Sequence, residues 1–441
     1  MFLQFSVRNF RSLRDEQTLD LRATAKKELP EVVRHPEGMD GESRGVLPVA
    51  AVFGANASGK TSLFLAANTL RELVLGSESE AIEGRGVLET IEPFRFDPAL
   101  RKAEVRFNVV FLREGVRHEY GVVILPRQDE RRFARVTSEW LRSWPKGHPV
   151  DVFLRGEAAR ADGRQAGWWV SEDGFAGGRR LAADLFQQTR DDVLFVSLAS
   201  KRNQSQAKAV VSWFGDDFRT SLDFTRGPLA SDTQTRSLAQ PEFAEYVSRL
   251  MRAADTGIEA VETVRLARTD DYPVRIGGRF VTPPAHATRT WHRDSAGERV
   301  GLKLEEESHG TQRLFAFAGP IHDVLTRGHC LWVDELNTGM HHWLTRALVK
   351  MFQDPAVNPR GAQLIFSTHD AAMMDASLFR RDQIWFAEKD VGQGSQLYSL
   401  VDIEDKPRKD QPLFRGFLAG RFGGVPQLDD AAFMQWRGGE R

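Results

Sequence analysis

The sequence predicts an α/β protein built on a parallel sheet whose strands come from two distant stretches of the chain. Three observations predict it. An apolar run, Val49-Ala50-Ala51-Val52-Phe53, leads through a glycine-bounded loop into an amphipathic helix. A second, His329-Cys330-Leu331-Trp332-Val333, ends in Asp334-Glu335. A third, Gln363-Leu364-Ile365-Phe366, ends in Ser367-Thr368-His369-Asp370. Short apolar runs that end in polar turns suit strands buried on both faces.

At 441 residues the chain exceeds one ordinary core, which implies two lobes or a core with a large insertion. The formal net charge of −1 supplies no bulk attraction to nucleic acid. The single cysteine, Cys330, excludes an internal disulfide and a cysteine-based metal site, and suits a reducing cytoplasm. The first residues lack the apolar centre of a signal peptide. No apolar run reaches the length of a membrane span. A soluble cytoplasmic protein without a membrane partner is expected.

Taken in order, Leu3, Phe5 and Val7 alternate with polar residues before Asn9-Phe10-Arg11-Ser12, which predicts an edge strand and a tight turn. Residues 22–46, rich in charge, proline and glycine, read as a loop. Residues 49–53 form a buried strand. Residues 62–75 form a helix with Leu63, Ala66, Ala67, Leu70, Leu73 and Val74 on one face. Between them stands Gly54-Ala55-Asn56-Ala57-Ser58-Gly59-Lys60-Thr61, the spacing of a phosphate loop. Its glycines let the backbone curl so that successive N–H groups face phosphate oxygens, and the helix start adds a positive dipole end. Gly54, Asn56, Ser58, Gly59, Lys60, Thr61 and Ser62 are the candidate nucleotide contacts. Lys60 would reach the β- and γ-phosphates, and Thr61 would ligate magnesium. Strand, loop and helix in this order predict a P-loop NTPase using ATP and Mg2+.

Beyond Leu75 the character changes. Gly76 to Gly86 is an acidic linker. Ala103 to Leu112 and Val116 to Leu125 read as a hairpin turning at Arg113-Glu114-Gly115. Val136 to Trp144 and Val150 to Leu154 read as further strands. Residues 180–220 and 241–255 look helical, and 265–300 look irregular. The expected organisation is therefore residues 1–78 as the N-terminal part of the core, 79–299 as an insertion of hairpins and helices, and 300–441 as the C-terminal part and tail.

From residue 302 the chemistry is dense. Ser308, in Glu307-Ser308-His309-Gly310-Thr311, is placed to cap the helix that follows, so its hydroxyl and the first N–H groups make an anion site. A plain capped helix is the simpler alternative. Asp334 and Glu335 sit at a strand end, where parallel sheets bind ligands. Asp334 can hold the magnesium shell through water, with the loop hydroxyl in the direct place, and Glu335 can take a proton from the attacking water. Asn337 to His341 form a turn into a helix at about 342–353. His341 and His342 are neighbours that do not share a helix face, so a turn and dimer contact is preferred to a metal site. His369 at its strand tip can donate to a γ-phosphate oxygen. Ile384 to Glu388 and Leu397 to Val401 read as closing strands.

These elements in this order resemble the ABC-type ATPase heads of the SMC, RecF and OLD proteins, as does the opening Phe-x-Val-x-Asn-Phe-Arg-Ser. Several phrases resemble the RloA-like AAA-family ATPases more closely: residues 47–56, 254–258, 381–389 and 415–423. The resemblance implies that Ser308, Gly310 and Thr311 form a signature segment acting in trans on the nucleotide of a second subunit. It implies that Lys60, Glu335 and His369 are catalytic, with Asp334 in the magnesium shell. It further implies a homodimer or higher homo-oligomer, antiviral defence as the setting, and a separate RloB-type or other small nuclease-like effector. Glu307 and His309 depart from the transporter signature. No Q-loop glutamine stands out, and residues 93–96 occupy the equivalent region. Long coiled-coil arms are missing, and too few residues follow His369 for an OLD-type Toprim nuclease domain.

Two functions follow. One is an ATP-hydrolysing switch that controls a toxic effector. The other is a RecF-like ATPase that binds DNA, for which Arg127, Arg131, Arg132, Arg135 and Arg142 offer a basic face interrupted by Asp129 and Glu130.

Overall fold

The computed structural model describes residues 1–25, 28–39, 44–78, 86–157, 167–171, 174–221, 228–254, 257–265, 274–276, 279–281, 286–404 and 412–426. The strands are β1 (Phe2–Arg8), β2 (Gln17–Asp20), β3 (Val49–Phe53), β4 (Val105–Arg113), β5 (Val116–Leu125), β6 (Arg135–Trp144), β7 (Val150–Gly156), β8 (Trp168–Val170) and β9 (Phe218–Ser221). They continue as β10 (Ala260–Arg265), β11 (Val274–Ile276), β12 (Arg279–Val281), β13 (His286–Arg293), β14 (Arg299–Lys303), β15 (Cys330–Val333), β16 (Gln363–Thr368), β17 (Ile384–Lys389) and β18 (Ser395–Ser399). The helices that position the site are α1 (Lys60–Gly76), α2 (His309–Arg327), α3 (His342–Gln353) and α4 (Leu413–Leu418).

Two large sheets dominate. One is antiparallel, in the order β2-β1-β4-β5-β6-β7-β8. The other runs β18-β17-β3-β16-β15-β9 and is parallel except for β18 at its edge. The strand carrying the phosphate loop is thus central, and β16 lies between it and the Asp-Glu strand. This is an α/β fold in which a parallel sheet carries the phosphate loop and a second large sheet is antiparallel.

Alternation along β3 divides the core, as strand geometry requires. Ala50 and Val52 face a cluster shared with α1 and the antiparallel sheet. Val49, Ala51 and Phe53 face α2 and α3. Trp332 joins the two sheets: its ring makes edge contacts with Phe2, Phe5 and Phe64 at 5.3, 6.0 and 5.4 Å. An aromatic group this deeply buried carries on the order of 3 kcal/mol or more.

Several expectations are corrected. Strand β1 is not an edge strand, because β2 and β4 flank it. Its polar residues pair inside the sheet, with Ser6 Oγ 2.8 Å from Thr18 Oγ1. Strands from the expected insertion, residues 79–299, join both large sheets. Strands β4 to β8 extend the sheet begun by β1, and β9 extends the sheet of β3. Residues 265–300 are not irregular throughout, since β13 and β14 form a hairpin against β10. The inward positions Thr288 and Thr290 are polar though buried, so no apolar alternation marks the strand. The closing strand begins at Ser395 rather than Leu397. The Arg113–Gly115 turn is as expected, with φ of 51° and 73° at Glu114 and Gly115. Within the 254–258 phrase, Asp255 and Thr256 lie outside the described residues.

Candidate functional site

Strand register places the chemistry. Thr368 pairs with Phe53, and Val333 with Phe366. Gly54, Asp334 and His369 therefore all leave the same C-terminal edge of the parallel sheet, where ligands of such sheets bind.

The phosphate loop curls over its own lysine. Lys60 is buried, and its Nζ donates to the main-chain oxygens of Gly54 at 2.7 Å and Ala55 at 2.8 Å. Burial pushes the Lys60 pKa below its ordinary value, while Asp334 and Glu335 pull the other way. The loop and the strand-end carboxylates therefore share one electrostatic environment. No side chain caps the start of α1, so its first N–H groups remain for a ligand. Ser58 Oγ is buried without a hydrogen-bond partner. Asn56 and Thr61 are exposed, and Ser62 is half-buried. Free N–H groups, an orphaned hydroxyl and a cation around one loop fit a phosphate chain. The Thr61 hydroxyl and the Asp334 carboxylate fit its magnesium ion.

The two carboxylates are held differently. Ser367 Oγ donates to Asp334 Oδ1 at 2.5 Å and accepts from the Glu335 N–H at 2.7 Å. Asp334 is thereby fixed and half-buried, whereas Glu335 is exposed. Glu335 has a φ of 50°, a left-handed conformation unusual for a residue with a side chain. Its Oε2 accepts from Thr338 Oγ1 at 3.0 Å, and its main-chain oxygen accepts from Arg313 Nη2 at 2.7 Å. Thr368 Oγ1 donates to Asn337 Oδ1 at 2.8 Å. Sequence reasoning did not single out Ser367, Thr368, Thr338 and Arg313 as the framework of this turn. The available signal was the polar Ser-Thr pair beside the Asp-Glu strand. His369 is exposed at its strand tip.

The Ser308 segment stands beside this turn. Ser308 Oγ accepts from the Thr311 N–H at 3.2 Å and lies 2.9 Å from Thr311 Oγ1, so it caps α2. An added Cβ on Gly310 would fall 2.5 Å from the Gly339 oxygen, so only glycine allows this approach. Glu307 Oε1 is engaged by Thr290 Oγ1 at 2.5 Å and His292 Nε2 at 2.7 Å, which ties the segment to the β13–β14 hairpin. Among the described residues, no hydrogen bond or ion pair joins Ser308 or Thr311 to the phosphate loop. His341 caps α3, and its ring lies tilted against that of His342 with ring centroids 4.3 Å apart. No cluster of three metal-ligating side chains occurs among the described residues.

The family model described as "AAA domain, putative AbiEii toxin, Type IV TA system" matches residues 49–375, well over half of the chain. The chain belongs to this AAA-domain family. The match opens on β3 and closes beyond His369, so it takes in every candidate site residue. No curated protein matches. Solved structures similar to the chain include an SMC head bound to the C-terminal winged-helix domain of ScpA, with 13% identity over 90% of this chain and 97% of that one and a TM-score of 0.41. The SMC head domain of Thermotoga maritima shares 13% identity, covering 90% and 98%, with a TM-score of 0.39. An SMC head from Pyrococcus furiosus with an extended coiled coil, bound to the C-terminal domain of ScpA, shares 12% identity, covering 90% and 96%, with a TM-score of 0.41.

The remaining predicted contacts are mixed. Phe94 is anchored by its N–H to Asn9 Oδ1 at 3.1 Å, while Phe96 is exposed beneath Lys389. The suggested basic face is largely neutralised. Arg132 pairs with Asp129 at 2.7 Å, Arg142 with Asp151 at 2.6 Å, and Arg127 with Glu89 at 3.7 Å. No helix among the described residues is long and apolar enough to cross a membrane.

Proposed function

We propose that the protein is an ATP-hydrolysing switch that pairs with a second copy around two nucleotides and controls a separate effector in antiviral defence. The observation that carries it is the convergence of Lys60, Asp334 and Glu335 at one sheet edge. ATP with Mg2+ would bring the phosphoanhydride bond and its charge-neutralising cation. Lys60, Ser58 and the α1 N–H groups hold the phosphates, and Thr61 and Asp334 hold the ion. Glu335 orients the attacking water and takes its proton, and His369 donates towards the terminal phosphate. The exposed Ser308 and the start of α2 complete the site of the other copy, supplying the donors that developing charge requires.

A place in a toxin–antitoxin system is supported by the family description, which names a toxin of such a system. The phrases shared with RloA-like ATPases support a small RloB-type effector. A RecF-like role on DNA is less well supported, since three of the five arginines in its basic face are engaged by carboxylates.

Mixing Ser308→Arg chains with Lys60→Ala chains tests the shared site. Each mixed dimer has one site with both lesions and one with neither, so two dead variants should regain part of the ATP turnover. Mixed dimers without recovery would mean that the site is not shared or that the two sites are obligately coupled, and full turnover by a strict monomer would exclude the shared site outright. Co-expression with the neighbouring gene, followed by mass analysis of the purified complex, tests the effector.

A further inference from the structure

Behind the phosphate loop runs a chain of three hydroxyls. Ser395 Oγ donates to Ser12 Oγ at 2.8 Å, and Ser12 Oγ donates to Ser62 Oγ at 2.8 Å. The Ser395 N–H also donates to the Ser12 main-chain oxygen at 2.7 Å. Ser12 belongs to the turn after β1, Ser395 opens β18, and Ser62 lies in the first turn of α1. Both large sheets therefore meet at the helix that begins with Lys60. Arg14 and Asp390 pair at 2.7 Å and lock the same two turns together.

The contact leaves no slack. Gly59 has a φ of 108°, and a Cβ there would fall 2.0 Å from Ser395 Oγ and 2.9 Å from Ser12 Oγ. Ser12 and Ser395 also lie outside the matched family segment, residues 49–375. Ser12 closes the opening phrase of the sequence, and neither serine belongs to the strand, loop and helix that carry the phosphate motif.

Direction matters in such a chain. Each hydroxyl has one proton to give. Ser395 spends its proton on Ser12, and Ser12 spends its own on Ser62. The Ser62 proton remains for another acceptor, and its oxygen is polarised by the two donors behind it. We propose that Ser12 and Ser395 are positioning residues that aim and strengthen the Ser62 hydroxyl as a donor to nucleotide phosphate. The proposal rests on the nucleotide reading above.

ADP titrated into the full-length chain tests it, with unliganded melting temperature as a check on folding. Lys60→Ala should abolish or greatly weaken binding, which tests the nucleotide reading by itself. Ser12→Ala and Ser395→Ala should each weaken ADP binding roughly three- to tenfold, the worth of one hydrogen bond. Ser12→Thr, which keeps the hydroxyl, should restore affinity. In a Ser62→Ala background, Ser12→Ala should cost nothing more, because the group it acts through is gone. If Ser12→Ala fails to fold, Ser395→Ala interrupts the same chain and enters the same comparison. Lys60-dependent binding that ignores both serines overturns this proposal alone. So does a Ser12 effect that persists in full without Ser62. A wild-type chain that binds no ADP overturns the nucleotide reading together with it.

Discussion

Arg313 Nη2 donates to the main-chain oxygen of Glu335 at 2.7 Å. The bond joins the helix capped by Ser308 to the left-handed residue at the end of the Asp-Glu strand. Arg313 is partly buried, which lowers its pKa, and the neighbouring Glu335 opposes that effect. Arg313→Ala should free the Glu335 backbone without touching the phosphate loop. Steady-state kinetics should show kcat reduced several-fold to about tenfold, with KM for ATP little changed. An equal rise in KM would mean that Arg313 acts on nucleotide binding instead.

Glu335→Gln keeps the shape of the side chain and its contact with Thr338 but cannot accept a proton. ATP should still bind, and single-turnover hydrolysis should slow on the order of a hundredfold or more. Full turnover in this variant would move the proton-accepting role elsewhere, with His369 the next residue to substitute.

Lys60→Ala removes the one cation that the loop folds around. Charged hydrogen bonds are worth about 1.5–3 kcal/mol, so ATP affinity should fall roughly ten- to a hundredfold. Titration with labelled ATP measures it, and unchanged affinity would remove Lys60 from the site.

His118 makes stability depend on pH. It is buried beside Ser143, 2.8 Å from its hydroxyl, and burial lowers its pKa from 6.5 to about 4, with Arg113 adding to the effect. The folded protein therefore holds His118 neutral where the unfolded chain takes up a proton. Stability should be intact above about pH 6.5 and decline as pH falls towards 4, by up to roughly 3 kcal/mol from this group. Urea unfolding at a series of pH values should show that slope, and His118→Gln should flatten it.

The phosphate strand, its helix and the two strands ending in carboxylates and histidine were legible because each is a local pattern. Their apolar runs are unbroken, and the residues at their ends have special chemistry. The β13–β14 hairpin was not legible, because its buried positions hold Thr288 and Thr290. The placement of β1 and β9 depends on partners far along the chain, which no local window contains. The same is true of the framework around the carboxylates. Ser367 is recognisable as a strand-end serine, but its simultaneous hold on Asp334 and Glu335 follows only from the register of β15 against β16.

Both neighbours of β3 are made late. It is bordered by β16 and β17, which begin at Gln363 and Ile384. Later still, Phe417 packs on Phe53 with ring centroids 6.0 Å apart, and a Cβ on Gly424 would lie 3.6 Å from the Cα of Gly54. During synthesis the phosphate strand thus emerges from the ribosome more than three hundred residues before it can be sheltered on either side. Until then its five apolar residues have no sheet to join. The nascent chain carries a nucleotide motif well before it has a nucleotide site, and that interval is when chaperones have most to protect.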